Sequence, residues 1–390
     1  MRQQTIVMFS NTDWYLYNFR RSLARKYQNQ GFHVVLLSPG EFYGQKLIDD
    51  GFDWQHIKLE SKSMNPLKEL KVLLQIWKIL NKFRPILIHN FTIKPALYGS
   101  LVARVLGRLR NSKNGRIQIL NSITGLGHVF TAPGLKAKLI RGFVKMLYRF
   151  ILSNKSIRVI FQNEEDQHIF EKNHLVTQEQ SKLVRGSGVN CLQFKPGRER
   201  RKVQRVRILF ASRLIREKGI IELLAATKQL YSDKVNCELV IAGEIYEGNP
   251  SSLNEDEVQQ ISEYKWVRYL GHVSDMPKQI AQSDIVVLPS YREGTPKILL
   301  EAAACGKPII ATDIAGCRGV VQHGVNGLLV PVRDVEALAE AIRVLVADKE
   351  LRKSYGRNSR EIVIANFEES IVNEKTLDIA RELNLVCSIL

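Results

Sequence analysis

Arg292-Glu293-Gly294-Thr295-Pro296-Lys297-Ile298-Leu299-Leu300-Glu301 is a joint between two kinds of structure. The apolar run Ile285–Leu288 ahead of it predicts a buried strand. A helix is predicted from Pro296 to Ala304, and a second strand follows at Ile309–Ala311. Strand, turn, helix, strand is the unit of a parallel sheet. Pro296 fits the first position of a helix. A helix start preceded by glycine presents backbone N–H groups that suit a phosphate. Glu293 and Glu301, one at each end of the run, can accept hydrogen bonds from sugar hydroxyls. Singly, each has a plainer explanation: Glu293 as a helix-dipole contact worth about 0.3–1 kcal/mol, Glu301 as half of a surface ion pair.

The same alternation extends in both directions. Upstream, Arg207–Ala211 and Glu238–Ala242 read as strands flanking a helix at Ile220–Tyr231. Further back, strands are predicted at Thr5–Phe9, His33–Leu37, Ile86–His89, Ile117–Asn121 and Arg158–Phe161. Helices are predicted at Trp14–Gln30, Leu67–Phe83 and Pro95–Leu106. Downstream, Val335–Val346 and Leu351–Leu383 are mostly helical. The pattern predicts two doubly wound α/β domains, 1–200 and 201–366, meeting near 190–205. In open α/β sheets ligands bind beyond the carboxyl ends of the strands, so two such domains are expected to face each other across a cleft.

Composition bounds the function. The chain has 390 residues, 45% apolar and 25% charged, which excludes disorder and fibrous repeats. Five scattered cysteines without a C-x-x-C pair argue against a disulfide framework or a zinc site, and for a reducing compartment. The run Ile6–Phe9 is too short for a signal peptide, and no apolar stretch is long enough to span a bilayer. Residues 1–200 hold 32 Lys+Arg against 13 Asp+Glu, a net of +19, whereas 201–390 hold 25 against 26, a net of −1. A field of this kind attracts anionic partners. From Leu135 to Leu152, Lys138, Arg141, Lys145 and Arg149 form a basic stripe on an otherwise apolar helix. That pattern suits the headgroup layer of an anionic membrane; the alternative is a core helix with a solvated edge. Nucleic acid is the weaker partner, because no recognised nucleic-acid-binding signature is present. The tract Arg198 to Arg207 is read as an exposed linker.

Several chemistries are excluded by missing motifs. No P-loop, no G-x-G-x-x-G after the first strand, no G-x-S-x-G and no H-E-x-x-H is present. The segment Ala211-Ser212-Arg213-Leu214-Ile215-Arg216-Glu217-Lys218-Gly219 follows the first strand of the second domain, where Arg213 and Lys218 could neutralise a diphosphate. The alternative is two solvated loop charges.

Arg213-x4-Lys218-Gly219 followed by Glu293-x7-Glu301 resembles the retaining nucleotide-sugar glycosyltransferases of family 4, which have the GT-B fold. Ala242-Gly243-Glu244, Tyr269-Leu270-Gly271-His272-Val273 and Cys305-Gly306-Lys307-Pro308-Ile309 through Gly324-Val325-Asn326-Gly327-Leu328 agree with it, so the likeness covers nearly all of 205–335. The first half lacks the Gly-Gly loop that many members carry after the first strand. Asn11-Thr12-Asp13-Trp14, Asn18-Phe19-Arg20, Asn90-Phe91-Thr92-Ile93-Lys94-Pro95 and Thr124-Gly125-Leu126-Gly127-His128 resemble bacterial enzymes of capsule, O-antigen and lipid-linked oligosaccharide synthesis. The nearest likeness is to those adding an N-acetylhexosamine to an undecaprenyl-diphosphate-linked sugar.

The resemblance implies roles. Arg213 and Lys218 hold the donor diphosphate and stabilise the leaving group without a metal or other cofactor, aided by backbone N–H groups near Gly294, Thr295, Pro296 and Lys297. Glu293 binds hydroxyls of the donor sugar and Glu301 the ribose. Arg268 and Gly271 lie near the uracil, with Gly243 on the neighbouring loop. His128 positions donor or acceptor. Asn11, Asp13, Gly125 and Gly127 are acceptor-side candidates. The helix after Phe367 (367–390) crosses back to brace the first domain. A UDP-sugar, a lipid-linked acceptor and the anionic inner leaflet are the implied partners, and the enzyme is expected at the cytoplasmic face of the inner membrane. Competing readings are a UDP-N-acetylglucosamine 2-epimerase of the same fold, an ADP-sugar-dependent glucan synthase, and a non-catalytic basic adaptor.

Overall fold

The computed structural model describes residues 3–60, 65–110, 116–125, 135–154, 156–197, 205–246 and 248–383. The chain divides into two compact units: residues up to Ser187 together with those from Val372 onward, and Gly188–Ile371. The first division falls ahead of the basic tract rather than at 200, because Val189 pairs with Glu368 and so ties the start of this segment to the second unit. Arg198 to Lys202 lie outside the described residues, and Arg207 sits within a strand, ion-paired with Glu238.

The first unit is a parallel sheet of seven strands: β1 (Thr5–Phe9), β2 (His33–Ser38), β3 (Asp53–His56), β4 (Leu87–Phe91), β5 (Gln118–Ile123), β6 (Ile157–Phe161) and β7 (Ser181–Leu183), in the order β3-β2-β1-β4-β5-β6-β7. Side chains alternate across a strand. Val7 and Phe9 therefore enter one core with Val35 and Leu37, while Ile6 and Met8 enter the other with Val34 and Leu36. Both faces are covered, which is why the central strands read as unbroken apolar runs. The second core is completed by Val372, Leu377, Ile379 and Leu383 from the helix Glu369–Arg381 and the turn after it.

The second unit holds β8 (Val206–Ala211), β9 (Cys237–Ala242), β10 (Val267–Tyr269), β11 (Ile285–Leu288), β12 (Ile309–Thr312) and β13 (Gly327–Val330), all parallel, in the order β10-β9-β8-β11-β12-β13. Each sheet reverses direction beside its first strand, between β1 and β4 and between β8 and β11. Those reversals are where doubly wound sheets bind ligands. The architecture is that of GT-B proteins: two Rossmann-like α/β units.

One predicted element differs in detail. Trp14–Gln30 is not a continuous α-helix. A short turn at Asp13–Tyr15, capped by the Thr12 hydroxyl, leads into a π-helical stretch at Leu16–Arg20 and then an α-helix at Arg21–Asn29. Such π insertions leave the apolar pattern almost unchanged and often mark functional positions. Among the described residues, no helix is long and apolar enough to cross a membrane. The four described cysteines, Cys191, Cys237, Cys305 and Cys317, are free and buried.

Candidate functional site

In the second unit the loops leaving β8, β9, β10 and β11 lie on one edge of the sheet, because all strands run the same way. Backbone bonds stitch them together. Ser212 N–H donates to Ala242 O (3.0 Å), Gly243 N–H to Gly271 O (2.8 Å) and Tyr291 N–H to Glu217 O (2.9 Å). Two glycines permit the close approach. A Cβ on Gly219 (φ +73°) would fall 2.0 Å from Pro289 O, and one on Gly243 (φ +153°) would fall 1.8 Å from Ser212 O. L side chains avoid both conformations.

This edge gathers the residues that the sequence singled out. Lys218 closes a 3₁₀ turn (Arg216–Lys218) after β8, and Glu293 lies in the loop after β11. Their side chains form an ion pair at the reversal point, 17% and 12% exposed. This pairing was not read from the sequence. It places the ammonium and carboxylate where a ligand of the sheet would lie, and it holds each in one position before anything binds. Arg213, on the same loop as Lys218, is exposed, with its guanidinium 4.5 Å from the centroid of the Tyr246 ring. Gly294, Thr295 and Pro296 complete the turn. Pro296 is the N-cap rather than the first helical residue, and its own side chain offers no cap to the helix Lys297–Ala304. Lys297 Nζ donates to Gly188 O (2.9 Å).

Glu301 lies on that helix, half-buried. Burial pushes its carboxyl up to about 7, against the opposing pull of Lys297. Arg268 is exposed on the edge strand β10, and Gly271 (φ +63°) follows it. Tyr291 was not anticipated. Its hydroxyl donates to Glu222 (2.6 Å) and its ring faces the Arg333 guanidinium (4.5 Å), which fixes the root of the Glu293 loop.

The first unit treats its candidates differently. Asp13 is buried, and both of its oxygens are occupied by backbone donors: Trp14 N–H (2.8 Å) on one, Tyr43 (2.8 Å) and Gly44 (3.1 Å) on the other. It caps the helix Phe42–Asp49, which gives it a structural task. Asp13→Ala is expected to cost about 1–2 kcal/mol of stability, seen as a lower urea midpoint. A loss of activity with the midpoint unchanged would refute that assignment. Asn11 accepts from Ser10 Oγ (3.4 Å) and is half-exposed beyond β1. Gly125 (φ +151°) has no described residue within 4 Å of where a Cβ would stand. Gly127 and His128 lie outside the described residues.

Arg20 is the residue that sequence reasoning passed over, although it stood in a quoted motif. It is 4% exposed at the end of the π-helical stretch, donates to the Tyr15 hydroxyl (2.7 and 3.1 Å), and faces the Phe91 ring (4.7 Å). Beside it, buried His89 is held well below the usual histidine range by desolvation and by this guanidinium. An arginine inside an apolar helix pattern was the available signal.

The helix Leu135–Leu152 spans its expected bounds. Lys138 and Arg141 lie on it, their side chains outside the described part. Lys145 and Arg149 do not form a free stripe. Lys145 Nζ donates to Asn173 Oδ1 (2.7 Å) and Arg149 to Asn173 O (2.8 Å). They hold the residue that ends the helix Glu164–Lys172, where cations complement the dipole.

Residues 5–163 match the family described as "Glycosyl transferase 4-like", and residues 193–362 match "Glycosyl transferases group 1". The chain is 28% identical over 375 residues to the N,N'-diacetylbacillosaminyl-diphospho-undecaprenol alpha-1,3-N-acetylgalactosaminyltransferase of Campylobacter jejuni, covering 93% of this chain and 94% of that protein. It is 24% identical over 350 residues to the UDP-Gal:alpha-D-GlcNAc-diphosphoundecaprenol alpha-1,3-galactosyltransferase of Escherichia coli, covering 87% and 86%. Among solved structures, sucrose-phosphate synthase from Thermosynechococcus elongatus superposes with a TM-score of 0.78 at 20% identity, covering 98% of this chain and 99% of that one, which establishes the shared fold.

Proposed function

Because the chain belongs to the glycosyltransferases that join a family 4-like half to a group 1 half, we propose that it moves an N-acetylhexosamine or hexose from a UDP-sugar to a saccharide linked to polyprenyl diphosphate. Transfer retains the anomeric configuration. The observation that carries the donor half is the Lys218–Glu293 pair at the β8/β11 reversal, with Arg213 on the same loop. The acceptor class is supported by the Campylobacter and Escherichia relatives, whose names carry undecaprenyl diphosphate, and the UDP donor by the latter.

In the proposed reaction the bond from the anomeric carbon to the diphosphate oxygen of UDP breaks, and a bond to an acceptor oxygen forms on the same face. The acceptor's proton passes to the departing phosphate. Negative charge grows on that leaving group, and Lys218 and Arg213 stabilise it there. Preorganised donors of this kind act most where charge develops. These two cations supply the charge that the step needs, so the proposal invokes no metal. Glu293, held by Lys218, faces the sugar. Glu301 takes the ribose hydroxyls. The protein works at the cytoplasmic face of the inner membrane, in surface polysaccharide or glycan synthesis.

Glu301 gives this reading a pH signature. Its folded pKa of about 7 stands above the ordinary 4.5. The folded protein thus binds more protons than the unfolded chain across that window, and stability falls as pH rises through it. Ribose hydroxyls donate to the ionised form, so UDP binding releases a proton. Affinity should climb with pH by up to about tenfold per unit below 7 and level off above. Glu301→Gln should weaken UDP and flatten the profile. The test is a thermal-shift panel of UDP, UDP-sugars, GDP-mannose and ADP-glucose, where ligand at 100 times its Kd stabilises by about 2.7 kcal/mol. No response to any nucleotide would remove the donor reading.

A further inference from the structure

Arg213, Arg216 and Lys218 leave β8 on one short loop, and they are held in different ways. Arg216 is ion-paired with Glu257, and Lys218 with Glu293. Arg213 has neither a carboxylate nor a hydrogen-bond acceptor among the described residues. What meets its guanidinium is the ring of Tyr246, 4.5 Å away at the centroid. Tyr246 comes from the loop after β9 and is 42% exposed, so burial of its ring does not explain its place.

The contact is built into the backbone. The loop after β9 runs along the Arg213 loop and is fastened to it. Leu214 N–H donates to Glu244 O (3.0 Å), Leu253 N–H to Leu214 O (2.8 Å) and Arg216 N–H to Ser251 O (2.9 Å). Ser251 Oγ donates to the Glu217 carboxylate (2.6 Å). Ser252 Oγ accepts from Tyr246 N–H (2.9 Å) and donates to Leu214 O (3.2 Å). One hydroxyl thus joins the backbone of Tyr246 to the residue that follows Arg213. Ring and guanidinium are carried on a single hydrogen-bonded assembly.

The choice of a ring has a physical reason. An exposed arginine samples many rotamers, and a ligand that fixes it must offset that entropy. A carboxylate would fix it in advance, but would neutralise its charge and occupy its N–H groups. An aromatic face attracts the cation and leaves the charge and the donors unspent. A diphosphate draws on both.

We propose that Tyr246 is a positioning residue that holds Arg213 ready for the diphosphate of the donor. Its role toward that ligand rests on the donor reading above. Its hold on Arg213 does not, and the two are tested apart.

The first measurement is side-chain NMR relaxation of the Arg213 Nε–H group in the free protein. Its motion should be restricted. Tyr246→Leu should raise it to that of an ordinary surface arginine, whereas Tyr246→Phe, which keeps the ring, should not. Equal mobility in the wild-type chain and Tyr246→Leu would overturn the proposal. The second measurement is titration with UDP and with uridine, which lacks the diphosphate. Tyr246→Leu should weaken UDP about two- to fivefold, the worth of an exposed cation–π contact, and leave uridine unchanged. Added to Arg213→Gln, the same substitution should cost nothing further. A matching loss for uridine, or a loss that persists beside Arg213→Gln, would make Tyr246 a surface for the base and overturn the positioning role. A wild-type chain that binds no UDP would overturn the donor reading, while the motion of Arg213 would still decide whether Tyr246 holds it. The melting temperature reports the fold of each variant.

Discussion

Lys218→Ala lowers the rate of sugar transfer by about 10²–10³-fold in the protein that stays folded, the loss of about 3–4 kcal/mol that follows removal of one charge-stabilising donor. The ammonium stands at the β8/β11 reversal, held by Glu293. Arg213, exposed on the same loop, is the second cation available to a diphosphate. A diphosphate gains charge as the sugar departs, so a fixed cation helps the transition state more than the ground state. The loss should therefore fall on kcat more than on KM for the donor.

An internal ion pair could also be purely structural, and the two roles separate experimentally. Removing one partner from a poorly exposed pair leaves an uncompensated charge, so Lys218→Ala should also lower the melting temperature. The pair of variants Lys218→Met and Lys218→Met/Glu293→Gln distinguishes the cases. The double variant removes both charges and should recover stability. If the role of Lys218 is structural, activity returns to the level of Glu293→Gln alone. If Lys218 stabilises the leaving group, activity stays low. The assay is UDP release from the donor that the thermal-shift panel identifies, run well below the melting temperature of each variant. Activity in the double variant equal to that of Glu293→Gln alone would end the catalytic assignment of Lys218.

The reasons for what the sequence revealed are physical. Strands buried on both faces announce themselves: Thr5–Phe9 and Ile157–Phe161 are wholly buried and were readable as apolar runs. The four strands that went unread, Asp53–His56, Ser181–Leu183, Val267–Tyr269 and Gly327–Val330, are the four edges of the two sheets. An edge strand pairs on one side only and is shielded less, so Asp-Trp-Gln-His and Val-Arg-Tyr carry no hydrophobic signal. The site divides in the same way. Gly219, Glu293 and Glu301 stand in motifs and could be named. The contact of Lys218 with Glu293 joins residues 75 apart and depends on the strand order, which no local pattern contains. Asp13 shows the converse. A carboxylate after the first strand reads as a ligand contact, and its bonds from the N–H groups of Tyr43 and Gly44, some thirty residues on, leave no local signal.

Ending the chain at Glu368 should unfold the first unit while the second still binds nucleotide. The helix Glu369–Arg381 and the turn after it contribute Val372, Leu377, Ile379 and Leu383 to the core that holds Ile6, Met8, Leu16, Leu23 and Tyr27. At about 1.5–3 kcal/mol for each buried aliphatic side chain, four of them approach the whole net stability of a domain, about 5–15 kcal/mol. Their loss also uncovers the apolar face that they cover. The truncation removes an electrostatic tie as well. Arg158, 9% exposed, is paired with Glu382 (3.3 Å), which also takes Lys182 (2.8 Å), and this tie to the C-terminal helix would be lost. Calorimetry should show one transition lost, and hydrogen exchange should find β1, β2 and β4 unprotected. Leu377→Ala is the graded version and should cost about 2–5 kcal/mol. A truncated chain that kept both transitions would mean that strand pairing and the opposite core, around Val7, Val35 and Ile88, suffice to hold this sheet.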